Sequence, residues 1–400
     1  MNELLWLLLP VAAATGWWSG RIRSGRREPY KKNSNLREDY IKGINYLLNE
    51  QPDKALDLFI RMVDVDSETV DTHLLLASLF RKRGEVERAI RIHQNLIARP
   101  NLDARYRATA LLELGKDYMH AGLLDRAESL YRELLDTGHF TVEASCELQR
   151  IYEQEKDWEK AIKYAEAALN EPAHGDVAVI AHYWCELAIK KRKEGYPRIA
   201  WSYAQHALSR DPGHVRACIL LGDFSFENKN VRSSNKYYTK AIRNDVQYIP
   251  VVLPKLYEVC RFSGDRRYFI KLLTRLGVEE GHAEALIYLV RMLIESKEYS
   301  EARMLLRKGL DRNVAPLRLL REYLSLEQIE NSDISTDLFR MVARTLDEYL
   351  EQWLEFQCVN CGFRSRQLFW SCPSCHNWGT IKPGSSLNRV GNAHREMVSG

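Results

Sequence analysis

Four cysteines near the end of the chain, Cys358, Cys361, Cys372 and Cys375, are the residues whose type and spacing point most directly to chemistry. They form two C-x-x-C pairs with ten residues between them. Each pair on a short turn can aim two thiolates at one point, and two such turns complete a tetrahedral shell around a single ion. Gly362 lets the first turn fold back without a Cβ clash, and backbone N–H groups in such turns can donate to the sulfurs. About thirty residues bury too little apolar surface to fold unaided, so the ion must supply folding energy. Phe363, Phe369, Trp370 and Trp378 are expected to cluster around the site. Thiolate ligands suit iron or zinc. A reversible disulfide is the weaker reading, because one pair would serve for it. His376 adjoins a ligand, but four sulfurs already fill the shell.

Other chemistry is hard to find. The chain has no phosphate-binding G-x-x-x-x-G-K-[ST], no G-x-S-x-G elbow and no H-E-x-x-H. The eleven histidines are scattered, which suits surface or hydrogen-bonded core positions better than general bases, and a non-enzymatic protein is expected. Cys146, Cys185, Cys218 and Cys260 lie singly in helical sequence and read as small buried hydrophobes in a reducing compartment. With 58 Lys and Arg against 54 Asp and Glu, the net charge of +4 is too mild to demand a nucleic-acid partner. The run Lys190 to Lys193 precedes a glycine and suits a helix C-terminus. A four-cysteine ribbon can still bind nucleic acid, which stays open as an alternative.

The elements that position the cysteines begin with repeats. Small residues recur inside helical pattern at Ala55, Ala89, Ala127, Ala161, Ala200, Ser234 and Ala302, the first six separated by 34, 38, 34, 39 and 34 residues. The last interval is 68, with a degenerate unit at Phe269 between. This is the tetratricopeptide period, a pair of helices per unit. Leu114-Gly115, Tyr118, Gly122, Ala127 and Tyr131 sit at the offsets that the motif requires. The extra residues of the two long intervals are expected to lengthen helices or loops. Past Asn313 the pattern decays into terminal capping helices. Stacked repeats present a groove for peptides or partner domains, and Asp71, Arg81, Lys82, Lys116 and His120 could line it. A solvated charged face is the plainer reading of each.

The N-terminal stretch is the second compositional anomaly. Residues 2–20 contain one charge, Glu3, and are long enough to cross about 30 Å of hydrocarbon. The basic n-region of a signal peptide is missing. Positive charge follows instead, with Arg21, Arg23, Arg26, Arg27, Lys31 and Lys32, which predicts an outward N-terminus and a cytoplasmic body. Trp17 and Trp18 would sit at the interface. The expected fold is therefore all-α: a transmembrane anchor over 1–20, a basic linker over 21–35, a tetratricopeptide solenoid over 36–354, a four-cysteine metal ribbon over 355–383 and a flexible tail over 384–400.

This combination resembles the lipopolysaccharide assembly protein B family of Gram-negative bacteria. The segments that carry the resemblance are LLPVAAATGWWSGR, LFRKRGEVERAIRIHQ, LGKDYMHAGLLDRAE and CVNCGF followed by LFWSCPSCHNWGTIKP. It implies a single-pass inner-membrane adaptor whose cytoplasmic repeats and rubredoxin-like ribbon help the membrane protease FtsH to degrade LpxC, the deacetylase of the lipid A pathway. On that resemblance, Cys358, Cys361, Cys372 and Cys375 are the metal ligands. Two departures from a rubredoxin are the short ten-residue spacing and His376 in place of a glycine. A scaffold for several lipopolysaccharide synthesis or transport proteins is the alternative, and a redox or metal sensor a further one.

Overall fold

The computed structural model describes short pieces within residues 41–59, then residues 70–169, 176–312, 316–330, 337–351 and 356–384. The anchor expected over 1–20, its flanking Trp17, Trp18, Arg21, Arg23, Arg26 and Arg27, and nearly all of the tail lie outside the described residues. Among the described residues, no helix is long and apolar enough to cross a membrane. The chain divides into two compact units between Glu155 and Lys156.

The first unit contains α1 (Val70–Lys82), α2 (Val86–Ile97), α3 (Ala104–His120), α4 (Leu124–Thr137) and α5 (Thr141–Gln154). The second begins with α6 (Trp158–Ala168) and continues as the helix pairs α7 (Val177–Lys193) with α8 (Pro197–Arg210), and α9 (Val215–Glu227) with α10 (Val231–Asn244). After a 3-10 turn at Val246–Tyr248 come α11 (Ile249–Ser263), α12 (Arg266–Leu273), α13 (Ala283–Glu295) and α14 (Tyr299–Asp311). Two terminal helices, α15 (Pro316–Glu330) and α16 (Asp337–Glu351), precede the ribbon. Extra residues in the long intervals lengthen the first helices: α3 and α7 have 17 residues, where α1 and α9 have 13.

Packing within several of the repeats follows a size exchange. Gly115 faces Tyr131 so closely that a Cβ on the glycine would lie 2.5 Å from the ring. Gly222 and Tyr238 repeat this at 2.4 Å, and so do Gly43 and Phe59. Each glycine stands sixteen positions before its ring, with Ala127, Ser234 or Ala55 twelve positions on. Where the first position is Ala188, the ring position is Ala204, and both are fully buried. In these repeats the pair of helices thus fills the space either with a glycine and a ring or with two alanines, as close packing demands, while the repeats of Ala89 and Ala302 place Ala77 with His93 and Val290 with Leu306 at the same positions.

The degenerate unit has a local cause. Phe269 is buried where other repeats place a small residue, and α12 passes after eight residues into a π-helical turn at Thr274–Glu279. Gly277 in that turn approaches the backbone of Leu286 so closely that a Cβ would lie 2.7 Å from its nitrogen. A widened turn and an absent side chain let the short helix close onto α13.

The ribbon is a three-stranded antiparallel sheet, β1 (Phe356–Cys358), β2 (Arg364–Ser365) and β3 (Ile381–Pro383), in the order β2-β1-β3. Phe356 pairs with both Ser365 and Pro383, and Cys358 with Ile381. Its small core of Phe356, Cys358, Cys372 and Ile381 also touches Val251 of α11.

Candidate metal centre and the surface that carries it

The two cysteine turns have the same backbone plan. Cys358 N–H donates to Phe363 O at 2.8 Å, and Cys372 N–H donates to Asn377 O at 3.0 Å, five residues on in each case. Gly362 N–H returns to Cys358 O at 3.0 Å, and His376 N–H to Cys372 O at 2.9 Å. Gly362 and His376 occupy equivalent positions and both have positive φ, +79° and +57°. The histidine is therefore part of the second turn's geometry, held in a conformation that a glycine adopts more easily.

All four Sγ atoms lie within 4.8 Å of one another, with Cys358 to Cys375 at 3.7 Å and Cys361 to Cys372 at 3.6 Å. A tetrahedral ion with bonds of about 2.3 Å to sulfur requires sulfurs about 3.8 Å apart, so the donor set fits zinc or iron in size and chemistry. Cys358 and Cys372 are buried, whereas Cys361 is exposed. Burial acts to raise the Cys358 thiol, but hydrogen bonding with Thr380 and with the Cys361 and Asn360 backbone outweighs it and brings the group down to about 6. Burial dominates at Cys372, which is pushed up to about 11. A hydrogen bond with the Asn360 side chain leads the causes that lower Cys375. At Cys358 and Cys375 hydrogen bonding thus favours the thiolate, the form that ligates a metal.

Of the aromatics expected around the sulfurs, Phe363 packs against the core that holds Cys358 and Cys372 and Phe369 is exposed, whereas Trp370 and Trp378 face the helices. Trp370 stacks on Tyr248 with centroids 5.5 Å apart and 15° between the planes. Trp378 packs against Trp158, His182 and Tyr183 at 6.0, 5.1 and 5.7 Å. The physical reason is burial: these large rings gain more against the repeats than at the rim of a small ribbon. Tyr248 OH donates to Ile381 O at 3.3 Å, and Lys382 Nζ pairs with Asp245 at 2.7 Å.

A buried cationic and imidazole cluster lies beneath the rings. The Arg216 guanidinium sits 5.6 Å from the Trp370 centroid and 5.9 Å from that of Trp378, and Nη2 donates to Glu186 at 2.7 Å. His182 and His214 are 4.3 Å apart between ring centroids, and both are buried. Burial first, then the Arg216 charge, lowers His214 to about 3. His182 is likewise held well below the usual range, by burial and then by His214, Arg216 and Lys382. His214 is a hydrogen-bonded core residue as expected, its Nδ1 accepting from the Ala217 N–H at 3.3 Å, but His214 Nε2 and His182 Nδ1 find no partner among the described residues. Sequence reading missed this cluster, because no local motif links helices α7 and α9 to residues 370–382. The unusual His214 and Arg216 beside the apolar run Ala217 to Leu221 were the available signal. Of the single cysteines, Cys185, Cys218 and Cys260 are buried as expected, while Cys146 is half-buried.

The residues expected to line a groove behave differently from one another. Arg81 donates to Glu113 at 2.6 Å and to Asp117 at 2.7 Å, and Lys116 pairs with Glu113 at 2.6 Å. Asp117 is fully buried and also meets His93 Nδ1 at 2.5 Å. Arg81 thus ties α1 to α3 and His93 ties α2 to it, while Lys116 pairs with Glu113 within α3. Asp71, Lys82 and His120 are exposed, and Asp71 only approaches Tyr106 OH, at 3.4 Å.

Residues 356–383 match the family described as rubredoxin metal binding domain, and residues 72–105 and 107–176 match tetratricopeptide repeats. Lipopolysaccharide assembly protein B of Escherichia coli strain K12 is 34% identical over 390 residues, covering 97% of this chain and 100% of that protein. The protein of the same name from Haemophilus influenzae is 32% identical, covering 96% and 99%. Among solved structures, the repeat protein YrrB is similar at 19% identity and a TM-score of 0.33, over 47% of this chain and 92% of that one. With 34% and 32% identity and near-complete coverage on both sides, the chain belongs to the lipopolysaccharide assembly protein B family.

Proposed function

We propose that this protein is a single-pass inner-membrane adaptor that restrains lipopolysaccharide synthesis, its N-terminus periplasmic and its body cytoplasmic. It presents the deacetylase LpxC to the protease FtsH, and itself catalyses nothing. The observation that carries this reading is the full-length relation to proteins named lipopolysaccharide assembly protein B. The helical repeats suit an adaptor, because stacked helix pairs offer extended surface without a catalytic cavity. When bound, one iron or zinc ion would tie the four thiolates and fix the ribbon's shape, so that Trp370 and Trp378 reach the repeats together.

Anchoring beside a protease in the same bilayer raises the local concentration of client, which is the physical advantage of residues 1–20. Removing those residues should lengthen the lifetime of LpxC in cells at native expression. Unchanged turnover with a soluble version would refute the proximity account. The word assembly in the relatives' name favours a second reading, a scaffold for several lipopolysaccharide enzymes. In that case affinity purification would recover those enzymes equally well from cells without FtsH.

A further inference from the structure

Charge is segregated in the second unit. Helices α8, α10 and α12 carry two, four and three Lys or Arg and no Asp or Glu, in a chain whose totals are 58 and 54. They are the second helices of three successive repeats and touch one another in a row. Trp201 of α8 meets Tyr237 of α10 edge-on at 5.8 Å, and Thr239 of α10 lies 2.7 Å from the Tyr268 hydroxyl of α12. Carboxylates on the first helices are engaged there, Asp223 by Lys255, Glu227 by Arg192 and Glu186 by Arg216, and those that cap the ends of the row's helices are engaged too, Asp211 by the Gly213 N–H, Asp245 by Lys382 and Asp265 by Arg267. Among the described residues, Arg198, Arg232, Lys236, Lys240, Arg243 and Lys271 have no carboxylate in ion-pair range. Ile199, Tyr268 and Ile270 stand exposed between these cations, at 42%, 42% and 38% of full exposure.

We propose that this row of helices is a membrane-contact surface for anionic phospholipid headgroups. Cations spread over three adjoining helices, with no acid among them, match a two-dimensional array of negative charge. Half-exposed isoleucine and tyrosine beside long basic side chains suit the headgroup boundary, where apolar stems and rings enter while charges stay wet. Tracking of successive bases would need several open aromatic faces, but Trp201 and Tyr237 are turned onto each other and Tyr268 alone among the aromatics of these helices is exposed. The bilayer is within reach because of the apolar run at residues 2–20 and its basic flank, so the inference rests on the anchored reading above. The contact would hold the repeats against the membrane in a defined orientation.

The test uses the full chain reconstituted into vesicles of phosphatidylcholine, alone or with about a third phosphatidylglycerol, and a photoactivatable headgroup analogue in both. Crosslinks should concentrate in residues 231–244 and 266–273, only in the anionic vesicles. They should fall about tenfold or more in the exposed-site variant K236E/R243E/K271E, and also in about 1 M salt, where the screening length is about 3 Å. Circular dichroism of the variant should match the parent. Equal crosslinking in both vesicle types, insensitivity to the three substitutions, or protection of these helices by RNA or an acidic protein instead of lipid would overturn the proposal. Resistance to alkaline carbonate reports separately on the anchor: an anchored chain without these crosslinks refutes the surface alone, and a chain released by carbonate refutes the anchored reading.

Discussion

Trp370 lies nearly parallel to Tyr248, with 15° between the rings and centroids 5.5 Å apart, and so carries the ribbon onto the 3-10 turn between two repeats. Its neighbours extend the contact, since Leu368 and Trp370 both pack against the main hydrophobic core of the second unit. The ribbon therefore folds with help from two sources, its thiolate cluster and the repeats that it covers.

Replacing Trp370 by Ala removes the stacked ring and the cation–π partner of Arg216. For a half-buried indole the expected loss is about 2–3 kcal/mol. Hydrogen exchange should speed up across residues 356–383 while α1 to α5 keep their protection.

Acid should loosen the same contact. His182 and His214 are held neutral, with folded values below the unfolded value of about 6.5. In the window below about 6.5 the unfolded chain binds more protons, so stability is fully present above that pH and falls as the pH drops. The slope is about 1.4 kcal/mol per pH unit for each histidine until its folded value is reached. Denaturant midpoints of the second unit should fall between pH 7 and pH 5, and His214→Phe should flatten that dependence. An unaltered slope would show that His214 does not contribute to it.

Gly222→Ala should cost about 1–3 kcal/mol, because the new Cβ meets the Tyr238 ring at 2.4 Å. In a Tyr238→Ala background the same change should cost almost nothing, since Ala188 and Ala204 already coexist at the corresponding places. A thermal-denaturation double-mutant cycle measures the coupling, and additive losses would refute the size exchange.

Substituting Gly for His376 should stabilise the metal-loaded ribbon by about 0.5–1 kcal/mol, by relieving its positive φ of +57°. Metal content should stay unchanged, read by elemental analysis, because the histidine side chain is outside the four-sulfur set. Loss of metal would make His376 a ligand or its support.

Much of the fold was legible because its signals are local and periodic. Ala55, Ala89 and Ala127 mark the helix pairs, and Cys358 to Cys375 mark the turns, without knowledge of distant contacts. What could not be read was contact across long separations. Trp370 and Tyr248 are joined by tertiary packing alone, and nothing in the spacing of His182, His214 and Arg216 says that a ribbon covers them. Arg81 and Lys116 looked like groove residues because helical periodicity gives a face. It does not tell whether Glu113 and Asp117 on α3 will claim that face.

The most direct test of the adaptor account is the half-life of LpxC in cells whose own copy of this protein is replaced by the Cys358→Ser/Cys361→Ser variant at native level. Loss of two thiolates should unfold the ribbon, leave the repeats helical and markedly lengthen that half-life. A half-life equal to wild type, with metal absent from the purified variant, would contradict the claim that the ribbon is part of the working module.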